Sequence, residues 1–488
     1  MKFTIIATSD VHGHAERFSQ LAQQIAAEQP DILLDLGDLL QGSHLSYYCE
    51  EVNKQPHPLI SMANELSYDA AIFGNHEFNY STEDIGAMRS ACHFPWLACN
   101  VGDFAQPYIM KEVNGLHIAI IGVVTHFVPQ WDEWYSTADI PFTDAFTTAN
   151  ETVQFVRAHE QPDFVILCYH GGFERDPKSG LPFCVEDGEN QGYKMLKEIE
   201  GVDVLLTGHQ HLELALTVDN TTIAQPGANA QCYAKIDVTY ENDVFHHQAQ
   251  LMRVDETLPK KDFPAFTAWA NTNVTTLLDN YTYEHFLAPR LQSHPFTALI
   301  HQMQMAATNA QLSVVELPYH RSGGFSGRIT HYDVLHNFPR KNYLQVIQLT
   351  GAEVKEALEL CAAVFALNTA GEIDFSSAVY YPEPHPYIYD VWGGIDYEFA
   401  IAQPVGQRVT KLHYNGQAIR ANDVFEVAIS SYRATGSHGF TMMKKLAVCE
   451  VRIDIPKLMM DYLKTKPLLK QSNDFRVIIG KKAEAMRD

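Results

Sequence analysis

A chain of 488 residues exceeds the common size of one compact domain, so two or three domains are expected. With 46% hydrophobic and 19% charged residues, its composition is that of a folded protein and excludes a disordered or low-complexity one. The formal charge of -24, from 35 Lys+Arg against 59 Asp+Glu, repels polyanions and argues against a duplex nucleic-acid partner, but leaves small anionic substrates open wherever a local cationic centre reverses the field.

The opening MKFTIIATSD carries one lysine before a short apolar run that ends at Asp10. It lacks the long apolar core and small-residue cleavage site of a signal peptide and reads as a strand over 2–8. After the turn His12-Gly13-His14, the spacing of Phe18, Leu21, Ala22 and Ile25 predicts a helix that ends before Pro30, followed by a strand over 32–36. Residues 70–73, 118–124, 164–168 and 202–206 repeat the form, each a β-rich apolar run closed by Gly, Asn, His or Asp. Apolar runs separated by helical patterns predict parallel strands buried on both faces.

Around 256–294 the strand rhythm stops, and Phe266, Trp269, Val274, Leu277 and Leu278 predict a helical connector. From 295 to 488 a second unit is expected, with helices near 297–309 and 352–365 and strands over 395–401, 408–414 and 424–429. No later run approaches membrane-spanning length. The eight cysteines are scattered without a CxxC pair and read as buried reduced thiols. A cytoplasmic protein without membrane contact is therefore expected.

Five polar clusters close strands of the first unit: Asp10-Val11-His12, Gly37-Asp38, Gly74-Asn75-His76-Glu77, Tyr169-His170-Gly171-Gly172 and Gly208-His209-Gln210-His211. The carboxyl edge of an open α/β sheet is where ligands bind. Carboxylates, imidazoles and one amide carbonyl are the donors that borderline divalent metals prefer. A metal pair needs a shared carboxylate, for which Asp38 is the natural bridge, and such a pair suits phosphate ester hydrolysis. His76, directly after Asn75, would lie beside the metals as a general acid or transition-state stabiliser. No Ser-His-Asp order, Walker loop or nicotinamide fingerprint stands in a strand-loop-helix context.

The order D-x-H, G-D, G-N-H-E, H-G-G, G-H-x-H resembles the calcineurin-like metallophosphoesterases. The resemblance implies a four-layer αββα sandwich over residues 1–255 that holds two divalent ions (Mn, Zn, Fe or Co). Asp10, His12, Asp38 and His211 would bind one ion, and Asp38, Asn75, His170 and His209 the other. Gly327-Arg328-Ile329-Thr330, NYLQVIQLTG (342–351) and SYRATGSHGF (431–440) resemble the C-terminal domain of the 5'-nucleotidase superfamily. They imply a smaller α/β nucleotide-binding domain over 295–488, joined through the connector 256–294. GNHEFNY and SYRATG look closer to the 2',3'-cyclic-nucleotide 2'-phosphodiesterase/3'-nucleotidase branch than to true 5'-nucleotidases.

Two departures from the 5'-nucleotidase pattern weaken a 5'-monophosphate reading. Asn79 stands where 5'-nucleotidases generally carry an aspartate paired with the catalytic histidine, here His76. RSGGFSGR, from Arg321, does not reproduce the N-x-G-G-x-R clamp. By the same resemblance the second domain stacks the base between aromatic rings: Tyr432 as one, Phe338 or its neighbour Tyr343 as the other, with Arg433 beside them. The expected activity is hydrolysis of 2',3'-cyclic and 3'-nucleotides, with 5'-nucleotides or nucleotide sugars as the alternative substrates and a non-catalytic nucleotide-binding protein as the alternative of another class. An internal role such as recycling RNA breakdown products would fit.

Overall fold

The computed structural model of the chain describes residues 1–131, 137, 139–184, 186–317, 323–339, 341–380, 388–465 and 474–480. They form two compact units, Met1–Pro264 and Ala265–Asp488.

In the first unit the strands are β1 Lys2–Thr8, β2 Ile32–Asp35, β3 Ala70–Ile72, β4 Trp96–Leu97, β5 Tyr108–Val113, β6 Leu116–Val124, β7 Phe164–His170, β8 Val204–Thr207, β9 Glu213–Val218, β10 Thr221–Pro226, β11 Cys232–Glu241 and β12 Val244–Arg253. Among the described residues they build two six-stranded sheets, ordered β12-β11-β1-β2-β3-β4 and β5-β6-β7-β8-β10-β9. Strands β1 to β4 are parallel, as are β6 to β8. Strand alternation divides the side chains between two cores. Ile5, Ala7, Ile118, Ile120, Phe164, Ile166 and Leu206 meet between the sheets. Ala119, Ile121, Val123, Val165, Leu167 and Leu205 face the other way, onto Ala149 and Val153 of the helix Ala145–His159 and Met195 of the helix Gly192–Glu198. Burial on both faces explains the near-continuous apolar runs in these strands.

The stretch 256–294 departs from the helical connector read from the sequence. Helices cover Pro264–Ala270 and Ala288–Leu291, but Asn273–Asn280 is a strand paired antiparallel with Ser326–Thr330. Val274, Thr275 and Thr276 are β-branched and favour extended backbone. Their partner lies far along the chain, where local periodicity does not reach.

In the rest of the second unit the two helices and three strands read from the sequence are present within two residues of their expected bounds, among further strands and helices that were not read. The helices are Pro295–Thr308 and Gly351–Ala363, the latter opened by a Thr350–Glu353 capping box. A five-stranded sheet runs in the order Asp390–Gly393, Leu312–Glu316, Val424–Ser430, Leu344–Thr350, Cys449–Val451. A four-stranded sheet contains Asp396–Ala400 and Val409–Tyr414. Leu299, Ile300, Val346 and Val427 are among its fully buried side chains. The described cysteines are free, but not all buried as expected: Cys449 is exposed, and Cys92, Cys99 and Cys184 are partly so. No helix among the described residues is long and apolar enough to cross a membrane.

Candidate metal centre

The carboxyl ends of β1, β2, β3, β7 and β8 come together and bring all five polar clusters to one place. Main-chain bonds lock the loops to one another: Asp10 N–H donates to the Gly37 carbonyl and His12 N–H to that of Asp38, both at 2.9 Å. Asp10, His12, Asp38, His209 and His211 all hold left-handed backbone, with φ of 50°, 49°, 55°, 71° and 58°. Non-glycine residues adopt this conformation rarely, and it concentrates at functional sites. The close approach also demands glycine at position 37, where φ is 99° and a Cβ would lie 2.6 Å from both the Gly74 nitrogen and His170 Nδ1.

The donor atoms face one another. His170 Nε2 lies 3.3 Å from Asp38 Oδ2 and 3.2 Å from Asn75 Oδ1, which is itself 2.9 Å from His209 Nδ1. On the other side, His12 Nε2 is 3.0 Å from His211 Nε2, 3.8 Å from Asp10 Oδ1 and 4.0 Å from Asp38 Oδ2, and His211 Nε2 is 3.4 Å from Asp10 Oδ1. Asp38 thus stands between two donor sets. The trios Asp10-His12-His211 and Asp10-Asp38-His170 each keep their donor atoms within 4.8 Å.

This donor arrangement fits a pair of cations. His12 Nδ1 donates to the Gln41 carbonyl at 2.9 Å and His170 Nδ1 to that of Leu36 at 2.6 Å, which turns both Nε2 atoms toward the cluster. Burial, then the proximity of His211, pushes the pKa of His12 down to about 3, so its Nε2 offers a lone pair. Burial would do the same to His170, but Asp38 and Asp10 outweigh it and push its pKa up to about 10. Burial likewise opposes ionisation of Asp38, yet His170 and His76 hold it well below the usual carboxylate range. The proton on the His170 ring is thus held by the two carboxylates. Among the described residues, no lysine or arginine is ion-paired with either carboxylate.

His76 sits at the rim, its N–H donating to Asp38 Oδ1 at 2.8 Å and its Nδ1 2.6 Å from Asn79 Oδ1. One of its ring nitrogens lies within 4.8 Å of donor atoms of His12 and Asp38. The sequence reading assigned no role to three neighbours. Glu77 is fully buried, and its carboxylate accepts from the N–H groups of Asp38, Leu39 and Gly74 at 2.8 to 2.9 Å, which holds two ligand loops together. Burial and then Asp38 push its pKa up to about 7. Glu189 accepts from His209 Nε2 at 3.0 Å, and Trp131 stacks on the His209 ring, with centroids 5.5 Å apart and planes at 24°. Glu77 belongs to the GNHE cluster and was within reach of sequence reasoning; Glu189 and Trp131 carry no local signal.

The expected base-stacking residues lie in the second unit. Tyr432, half-buried after the strand Val424–Ser430, pairs its hydroxyl with His438 Nε2 at 2.8 Å. Tyr343 is beside it: Ser431 N–H donates to the Tyr343 carbonyl at 2.8 Å, and Tyr343 N–H to Ser431 Oγ at 3.2 Å. The Phe338 ring instead packs 6.5 Å from that of the buried Phe296. Arg433 does not meet its expected role in this unit. It is fully buried, donates to Asp390 Oδ1 at 2.7 Å, lies 3.4 Å from Glu316 Oε1 and sits over the Phe440 ring at 4.3 Å. A guanidinium so enclosed braces the 430–440 turn. Arg321 lies outside the described residues.

Residues 3–213 match the calcineurin-like phosphoesterase family and residues 274–445 the 5'-nucleotidase C-terminal domain. The chain is 24% identical over 494 residues to a Salmonella typhimurium 2',3'-cyclic-nucleotide 2'-phosphodiesterase/3'-nucleotidase, covering 83% of this chain and 74% of the relative. It is 24% identical over 558 residues to the trifunctional nucleotide phosphoesterase YfkN of Bacillus subtilis, covering 94% of this chain but only 38% of that protein. A Staphylococcus aureus crystal structure, provisionally named a 5'-nucleotidase and solved with alpha-ketoglutarate, superimposes with a TM-score of 0.92 at 27% identity, over 98% of this chain and 100% of that one.

Proposed function

Because the chain belongs to the phosphoric ester hydrolases that join a calcineurin-like phosphoesterase domain to a 5'-nucleotidase C-terminal domain, we propose that it hydrolyses 2',3'-cyclic nucleotides and 3'-nucleotides. The observation that supports the reading is the convergence of imidazole nitrogens and acceptor oxygens around Asp38, a donor set that suits a pair of divalent cations. In this reading Asp10, His12, Asp38 and His211 hold one divalent ion, and Asp38, Asn75, His170 and His209 the other. Such a pair, when bound, polarises phosphoryl oxygens and lowers the pKa of a water.

The chain's own groups supply the rest. Asn79 Oδ1 accepts from His76 Nδ1–H and fixes the ring. Nε2 is left to carry the proton given to the departing ribose oxygen. Tyr432, with Tyr343 or Phe338, offers aromatic faces that any base can stack on, so base selectivity is low. Asn79 in place of an aspartate and the names of two relatives that are 24% identical support the cyclic and 3' substrates. The name given to the Staphylococcus aureus neighbour favours a second reading, a 5'-nucleotidase.

A panel of adenosine 2',3'-cyclic, 3'- and 5'-phosphates with added Mn2+ separates the two. Dominant turnover of the 5'-phosphate rejects the first. The His76→Ala variant should lose kcat by about 10^2- to 10^4-fold while still binding nucleotide. A wild-type protein that binds nucleotide, releases no phosphate and is indistinguishable from His76→Ala would be a non-catalytic nucleotide-binding protein.

A further inference from the structure

The loop 171–191 leaves the end of β7 and returns to the helix Gly192–Glu198. From it, Glu189 places a carboxylate oxygen 3.0 Å from His209 Nε2, while the other ring nitrogen of His209 faces Asn75 Oδ1 at 2.9 Å. The imidazole is engaged at both ends: Nδ1 points into the donor cluster, and Nε2–H donates outward to a charged group.

The backbone around Glu189 is anchored, which separates this contact from an incidental surface pairing. The Glu189 carbonyl accepts from the Thr125 hydroxyl at 2.8 Å and the Tyr169 hydroxyl at 3.1 Å. Tyr169 directly precedes His170, and Thr125 N–H donates to the His170 carbonyl at 2.8 Å. Next along the loop, the buried Asn190 accepts from Gly172 N–H at 2.8 Å. The strand end that carries His170 therefore fixes the residue that steadies His209 in the loop after β8. The stacked indole of Trp131 restrains the plane of the same ring.

Three of the four imidazoles can be compared by the partner of the outward nitrogen. His12 and His170 lean on neutral main-chain carbonyls, of Gln41 and Leu36, whereas His209 leans on a carboxylate. A carboxylate on the outer nitrogen fixes the tautomer and strengthens the inner nitrogen as a donor.

We propose that Glu189 is a positioning residue that tunes one of the two cation positions, the one served by His209, and leaves the position served by His12 and His211 unchanged. The inference rests on the dinuclear assignment above. Calorimetric titration of the metal-free full chain with Mn2+, followed by electron paramagnetic resonance of the bound ions, tests it on wild type, E189Q, E189A and H209A. E189A should weaken one position by about 10- to 100-fold and leave the other within about twofold. E189Q should fall between, since its amide oxygen still accepts from Nε2–H but carries no charge. H209A should empty the position that E189A weakens.

Two wild-type affinities in E189A would overturn the proposal. So would equal weakening of both positions together with a lower melting temperature of the metal-free chain, which would make Glu189 a folding residue. A wild-type chain that takes up fewer than two ions would sink the dinuclear assignment itself, and the proposal with it.

Discussion

The contact between His76 and Asn79 is a hydrogen bond to an uncharged amide, 2.6 Å long, in a place where an aspartate would add charge. An amide oxygen orients the imidazole as well as a carboxylate does, but stabilises the protonated ring less. Asn79→Asp should therefore favour the protonated form and move the alkaline limb of the kcat profile to higher pH. A steady-state pH series on wild type and variant checks this; an unmoved limb would separate His76 from proton transfer. Neighbouring residues show how far single positions are readable. Asp38, Asn75 and His170 announce themselves because a charged or polar group directly after an apolar strand is costly unless it has a task. Arg433 misled for the opposite reason: a guanidinium in a loop motif suggests a ligand contact, and only the packed structure reveals the partner Asp390, which lies in a distant strand.

At the scale of elements, the helix Pro58–Leu66 illustrates a cap with a cost at low pH. His57 caps it, Nδ1 accepting from Leu59 N–H at 3.2 Å, and burial pushes the pKa of the ring down to about 3. The unfolded chain takes up a proton near the ordinary value of 6.5 while the folded one does not. The stability this histidine contributes is present above about pH 6.5 and is lost as the pH falls toward 3. Asparagine caps helices well without titrating. Between pH 7.5 and 5, urea denaturation should therefore move by about 2 kcal/mol in favour of His57→Asn relative to wild type, at about 1.4 kcal/mol per unit. A constant gap across that range would mean that His57 is not held neutral. Strands with continuous apolar runs were legible because burial on both faces leaves no polar positions. The strand Asn273–Asn280 was not, because its short buried segment pairs with a partner that local periodicity does not see.

For the whole molecule, every candidate ligand lies between residues 10 and 211, within the unit Met1–Pro264. Ligands that bind only the folded state stabilise it by mass action, about 2.7 kcal/mol for each ion at a hundredfold excess over Kd. Removing metal with a chelator should lower the calorimetric transition of the first unit and leave that of the second in place. A chelator-sensitive second transition would contradict the confinement of metal to one unit. The amino-acid sequence alone determined the five strand ends that carry the polar clusters, because local burial patterns and side-chain types lie along the chain, and the order of those clusters carried the resemblance to the phosphoesterases. Tertiary structure alone decided which nitrogen of each imidazole points inward, that Glu189 and Trp131 meet His209, and that Arg433 is buried against Asp390. Those outcomes depend on contacts between segments far apart in the chain, and no local spacing encodes them.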